Sequence, residues 1–218
     1  MTISFPRAIP AELLVAGLSF YPDPMIEVTP LRSGRQVSVD LGPTLWRGKW
    51  TSGNLDDDRF AEVRAWYDTL LSAETFFGYD LLREYPRKYP GGFAGLTVGA
   101  SPFSGQCQLA AVASNNVEVD LAALPIGFVL SVGDYIAFDY GADDGSRALH
   151  RVSAGAIADS DGLVTLEVRP HVRVGWQADA AVSLIKPSAK MIIVPGSYSE
   201  TTTDQSFGNI SFEAIQTL

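Results

Sequence analysis

Cysteine and histidine are nearly missing from this 218-residue chain: Cys107 stands alone, and His150 and His171 are the only histidines. One cysteine excludes an intrachain disulfide framework and any zinc site built on several thiolates. Neither histidine has a second one at metal-ligand spacing, and no His-Glu-x-x-His occurs. Phosphate-cradling glycine loops are absent too, with no Gly-x-x-x-x-Gly-Lys-Ser/Thr and no strand followed by Gly-x-Gly-x-x-Gly. Positive charge is short: 16 Lys+Arg face 25 Asp+Glu, a formal net charge of −9. That balance argues against free-standing nucleic-acid binding, which needs a basic face to neutralise phosphates. No apolar run approaches the length of a bilayer span, so membrane insertion is not expected. Met1 to Arg7 lacks the basic-then-apolar layout of a secretory signal, which predicts a product of the cytoplasm or of a particle assembled there.

What the chain does have is apolar material in short pieces. Hydrophobic residues make up 46%, enough for a core, and 20 Gly and 13 Pro punctuate the whole length. Between them lie β-branched and aromatic stretches: Met25–Thr29, Gln36–Leu41, Leu45–Trp50, Thr75–Leu81, Val117–Leu121, Tyr135–Phe138, Ala148–Val152, Leu163–Val168, Val182–Ile185, Met191–Val194 and Ile210–Ile215. Such runs, about five residues each, predict a mainly β fold. One segment differs. From Asp56 to Leu71, apolar residues at Phe60, Val63, Tyr67, Leu70 and Leu71, with Trp66 beside them, make a helical stripe. Asn54 or Asp56 can cap it, and Asp56, Asp57 and Asp58 suit the positive end of its dipole. The Pro/Gly-dense passage from Pro86 to Pro102 and the break at Pro187 mark two boundaries. The expected architecture is a split β-barrel with one amphipathic helix near 56–73, formed by 1–102 plus 187–218. Residues 103–186 are an inserted small β-barrel or sandwich. Inside the insert, Asp143-Asp144-Gly145 and Asp159-Ser160-Asp161-Gly162 read as tight turns.

No constellation carries a recognisable reaction, so the chain reads as no enzyme, with no catalytic residues, cofactor or metal implied. Asp159-x-Asp161-Gly162 resembles the start of a calcium loop, but Pro170 stands where its closing bidentate Glu would be needed. Leu82 to Pro90 is the one basic, tyrosine-bearing stretch. Its Arg83, Tyr85, Arg87, Lys88 and Tyr89 have the composition of a protein–protein contact. Phe5 and Tyr21, each followed by proline, join them as candidate subunit or partner contacts.

The order of pieces resembles the distal tail (Dit-like) and tail-tip proteins of long non-contractile-tailed bacteriophages, related prophages and gene transfer agents. Leu45-Trp46-Arg47-Gly48-Lys49-Trp50, the helix with Trp66, and Thr75-Phe76-Phe77-Gly78-Tyr79-Asp80 are similar to one progression of that family. Val129 to Phe138, Arg147 to Val152 and Asp161 to Pro170 are similar to another, and Gly208 to Ile215 to the closing strand. The resemblance covers roughly 45–218. It implies a structural virion protein at the distal tip of the tail, made in the host cytoplasm: a homo-hexameric ring joining the tail tube protein to the hub and tail-tip proteins, with the tape measure protein a further partner. Phage DNA would pass through the lumen without specific binding. The alternative is a carbohydrate-binding β-module for host attachment, which expects exposed aromatics near Trp176 or Tyr140. A hydrolase assembled around His150 or His171 ranks last, because no Gly-x-Ser-x-Gly elbow is present.

Overall fold

A computed structural model describes residues 3–140, 146–202 and 207–218. In chain order these form β1 (Arg7–Ala8), β2 (Val15–Pro30), β3 (Gln36–Ser52), β4 (Leu55–Asp56), α1 (Asp57–Asp68), β5 (Phe76–Gly78), β6 (Thr97–Val98), β7 (Ser101–Pro102), β8 (Gln106–Val112) and β9 (Glu118–Ala122). They continue with β10 (Val129–Leu130), β11 (Tyr135–Asp139), β12 (Arg147–Ala154), β13 (Ala156–Ile157), β14 (Val164–Arg169), β15 (Ala180–Ser183), β16 (Ala189–Ile193), β17 (Ser199–Thr202) and β18 (Phe207–Gln216). The fold is mainly β with one helix, as the sequence predicts. Two compact units divide it: Pro10–Thr75 with Met191–Thr217, and Phe76–Lys190 with the segment ending at Ile9. The division therefore falls at 76 and 190 rather than at the expected 103 and 186.

In the first unit, β2 and β3 form an antiparallel hairpin, and β18 runs antiparallel on the other edge of β3 from Arg47 to Thr51. Met191–Ile193 pairs with the far end of β18, while β17 and β4 pair with its beginning. Alternation along β3 sets the core. Trp46, Gly48 and Trp50 share one face, and both tryptophans are fully buried. Phe20, opposite Gly48, stacks on Trp46 at 5.0 Å between ring centroids. Phe212 stacks on Trp50 at 5.4 Å and meets Trp66 of the helix at 5.6 Å. Such aromatic pairs contribute roughly 0.5–1.5 kcal/mol each beyond their buried area. Arg47 and Lys49, on the opposite face, pair with Asp23 and Glu213. Those half-exposed ion pairs stabilise far less.

Helix α1 starts where its chemistry says it should. Asp56 is the N-cap, its carboxylate accepting the Arg59 N–H at 3.0 Å, with Asp57 and Asp58 in the first turn. Val63 and Trp66 are buried, so Trp66 belongs to the inward stripe rather than beside it. Leu71 is exposed, beyond the last helical residue, and drops out of that stripe.

The second unit holds a closed antiparallel barrel in the order β11-β12-β14-β9-β8-β15. Alternate residues fill it: Leu109, Val119 and Leu121, Ile136 and Phe138, Val152, Leu166, Val168 and Val182. The passage from Pro86 to Pro102, expected to be a boundary, packs into this core instead. Tyr89 stacks on Phe128 at 4.5 Å, and Phe93 contacts Phe103, Phe128 and both Tyr85 and Tyr89. That aromatic cluster makes the passage part of the barrel unit. The turn expected at Asp143-Asp144-Gly145 lies outside the described residues, although β11 and β12 on either side pair as expected. At the other turn, Asp159 Oδ1 accepts the N–H groups of Asp161 and Leu163, and Gly162 has φ 72°. The carboxylate is spent on backbone donors, which is the turn reading rather than the calcium one.

Candidate interaction surfaces

Among the described residues, the outer part of the β2–β3 hairpin lacks a neighbouring strand. β18 leaves β3 at Arg47, and β2 ends the sheet path. From Asp23 to its register partner Leu45 the hairpin therefore has no third strand among the described residues. Each of its strands runs about 30 Å beyond that point at ~3.3 Å per residue. Tyr21, Met25, Ile26, Val28, Leu31, Val37, Val39 and Leu41 expose between 42% and 62% of their surface. Cross-strand partners share a face, so Val37 with Thr29 and Val39 with Glu27 look one way. Val28 with Ser38 and Ile26 with Asp40 look the other. Both faces carry apolar side chains and both edges carry free backbone donors and acceptors. An isolated two-stranded ribbon is marginal in water, and an open edge is a template for pairing.

The tip of this arm is ordered by its own backbone. Gly34 N donates to Leu31 O at 3.0 Å and Leu31 N to Arg35 O at 2.8 Å, with Gly34 at φ 79°. Only a residue tolerant of positive φ closes such a turn without strain. Arg32 and Arg35 project from it, both exposed.

The contacts expected from the sequence are distributed as follows. Tyr21 is exposed at the base of the arm, and Phe5 is half-buried in the barrel unit. The 82–90 stretch is built onto the barrel unit rather than projecting as a free loop. Arg83 Nη1 donates to Gly133 O and Arg87 Nη1 to Val132 O, while the Arg87 N–H is accepted by buried Asp134 at 2.9 Å. Asp134 also accepts the Ser131 N–H at 2.7 Å, fixing the turn that both arginines grip. Tyr85 and Tyr89 lean on the barrel core, and Tyr89 Oη accepts the Val129 N–H. Arg83, Arg87 and Lys88 remain exposed. Sequence reasoning missed the arm tip: Arg-Ser-Gly-Arg between two alternating runs was its signal.

The residues weighed for other chemistry have structural surroundings. His150 shares the inward parity of Ala148 and Val152 and is buried in the barrel. Its Nδ1 donates to Pro170 O at 2.8 Å, its ring stacks on Phe138, and Nε2 has no partner. Burial lowers its pKa to about 4, so the ring is neutral at physiological pH. Burial likewise pushes the Cys107 thiol up to about 12, the opposite of nucleophile activation. His171 is exposed. Tyr140 and Trp176 are half-buried against the barrel core, and Arg173 donates to the Tyr140 hydroxyl at 3.2 Å. Arg151 and Arg169 stand opposite each other on β12 and β14, and Arg169 pairs with Glu167 of its own strand at 2.7 Å. Among the described residues no group of three or more His, Cys, Asp or Glu converges as a metal site, and no helix is long and apolar enough to cross a membrane.

Comparison of the sequence with known protein families and with curated proteins gave no match.

Proposed function

We propose that this chain is a structural subunit of a phage-type tail tip, a distal tail adaptor that closes into a hexameric ring between tail tube and hub. The observation that carries the reading is the β2–β3 arm. It leaves two backbone edges open and exposes apolar residues on both faces, which a lone subunit in water would not maintain without a partner. A head-to-tail ring needs two different complementary surfaces on every subunit, and an arm that reaches a neighbour supplies one. The ordered short motifs shared with distal tail proteins support the same assignment, from Trp46 through the closing strand. An acidic chain also suits a channel through which DNA passes without adhering, because like charge suppresses binding.

The test is assembly. Light scattering and electron microscopy of the full chain should find closed rings. Replacing Asp23–Leu45 by a short Gly-Ser turn, which joins the register partners Pro22 and Trp46, should leave a folded protein that stays monomeric. Rings that persist without the arm would overturn the role assigned to it.

A further inference from the structure

The charges of the hairpin unit are unevenly matched. It contains six cations: Arg32, Arg35, Arg47, Lys49, Arg59 and Arg64. Four are held by carboxylates of the same unit: Arg47 by Asp23 at 3.2 Å, Lys49 by Glu213 at 3.0 Å, Arg59 by Asp56 at 3.6 Å and Arg64 by Glu200 at 3.3 Å. The other two, Arg32 and Arg35, both sit on the arm tip, where no described carboxylate comes within ion-pair distance. Leu31 beside them is about half exposed. The tip is thus a backbone-hydrogen-bonded turn presenting one apolar side chain beside two guanidinium groups that no described carboxylate compensates.

A surface of opposite character lies on α1. An open groove runs between the helix and the start of β18, with Phe60, Ala61, Ala65 and Phe207 contributing its apolar lining. Asp57 and Asp68 line it as well, one at each end of the helix, both exposed and neither paired with a described cation, while Arg64 lines it between them with its charge met by Glu200 at 3.3 Å. Phe207 is nearly half exposed, although the neighbouring Phe60 ring already lies where a Cβ on Gly208 would fall. Apolar lining with anionic ends is the counterpart of an apolar residue beside two cations.

We infer that the Leu31–Arg35 tip of one copy seats in the α1 groove of a second copy. Leu31 covers Phe60 and Phe207, and the two arginines meet Asp57 and Asp68. The inference rests on the ring reading and adds to it which two surfaces meet. Tip and groove are different patches, so the contact is head-to-tail and repeats around a closed ring. Arginine suits the tip because its planar fork can grip a carboxylate with two parallel hydrogen bonds. Charge pairs at such a contact make association salt-dependent and set which partner is accepted.

The experiment is sedimentation velocity of the full chain over a range of concentrations, at low and at physiological ionic strength. It compares wild type, R32E/R35E, D57K/D68K and the combined four-residue swap. Each pair alone should raise the concentration needed for assembly by about tenfold or more, and the combination should recover it. Because Asp57 lies in the first helical turn, helical content is checked by circular dichroism. Asp68→Lys alone, at the end of α1, serves as the second variant if the double one loses its helix. If R32E/R35E assembles like wild type while the arm-deleted chain is monomeric, the ring reading stands and the tip-to-groove contact is refuted. Failure of the four-residue swap to recover assembly also refutes it. R32E/R35E that assembles normally but loses retention of a duplex DNA probe would reassign the tip to phosphate contact. A wild-type chain that stays monomeric at every concentration overturns both readings.

Discussion

Replacing Gly48 by alanine would put a methyl carbon 2.1 Å from Cη2, 2.5 Å from Cζ3 and 2.8 Å from Cζ2 of Trp50. Carbon atoms pack best at roughly 3.5–4.0 Å, so the overlap is about 1.5 Å and falls on the middle of a ring edge. The indole has nowhere to go. It is fully buried, stacked on Phe212 at 5.4 Å and flanked by Phe20 at 5.8 Å. Overpacking of this kind costs typically ~1–3 kcal/mol, and the depth of the overlap puts G48A at the upper end. The unfolded-state advantage of alanine over glycine, roughly 0.5–1 kcal/mol, offsets only part of that. A net loss of about 2 kcal/mol is expected. Urea unfolding followed by tryptophan fluorescence reads the right unit, because Trp46, Trp50 and Trp66 all lie in it and only Trp176 lies outside. The control is G17A on the same hairpin, where the new methyl would meet Thr51 at an ordinary 3.6 Å and should shift stability by less than about 0.5 kcal/mol. If G48A is no less stable than G17A, the Trp50-over-Gly48 core is wrong.

Other expectations follow from the barrel and the turn that grips it. The His150 pKa is about 4 in the fold against 6.5 for the free side chain, so the unfolded chain binds the extra proton first. Barrel stability should be full above pH 6.5 and fall by about 3 kcal/mol as pH drops toward 4. His150→Phe, compared with wild type by denaturation at several pH values, should lose that component; identical pH profiles would refute it. Asp134→Ala removes the acceptor of the Arg87 and Ser131 N–H groups and should cost ~2 kcal/mol, visible in the unfolding midpoint. Phe128→Ala empties the centre of the aromatic cluster and should cost ~3–5 kcal/mol by the same assay; a loss under 1 kcal/mol would mean the cluster is not the core described. In an imaged ring, acidic side chains should outnumber basic ones on the lumen wall, and a basic lumen would remove the argument from channel charge.

Where local chemistry decided the structure, the residues could be read directly. Asp56 as cap, the acidic first turn and the three- and four-residue spacing located α1. Short apolar runs rich in β-branched and aromatic residues located β11, β12 and β14, and Asp159 with Gly162 located a turn. Where distant pairing decided it, they could not. The strand expected at Met25–Thr29 starts ten residues earlier, with Pro22 and Pro24 inside β2 and Pro30 at its end, because a strand with one open edge can omit those donors. β8 went unseen because Gln106, Gln108, Ala110 and Ala111 carry little β signal, while its buried Cys107 and Leu109 face the barrel interior. Pro86 to Pro102 looked like a linker since its prolines and glycines are local cues, whereas the packing of Phe93 against Phe128 is not. The tip arginines stand out only once Lys49 is seen to be held by Glu213, 164 residues away. The sequence reader sees six similar cations; the fold separates four from two.

The central claim is that the exposed arm exists to join copies of this chain. Its most direct test is the native mass of the purified full chain, paired with images of whatever assembles, with and without the arm. Closed rings of about six subunits that collapse to monomers when Asp23–Leu45 is replaced are the expected result. A protein that is monomeric at all concentrations, and unchanged in mass by loss of the arm, would contradict it.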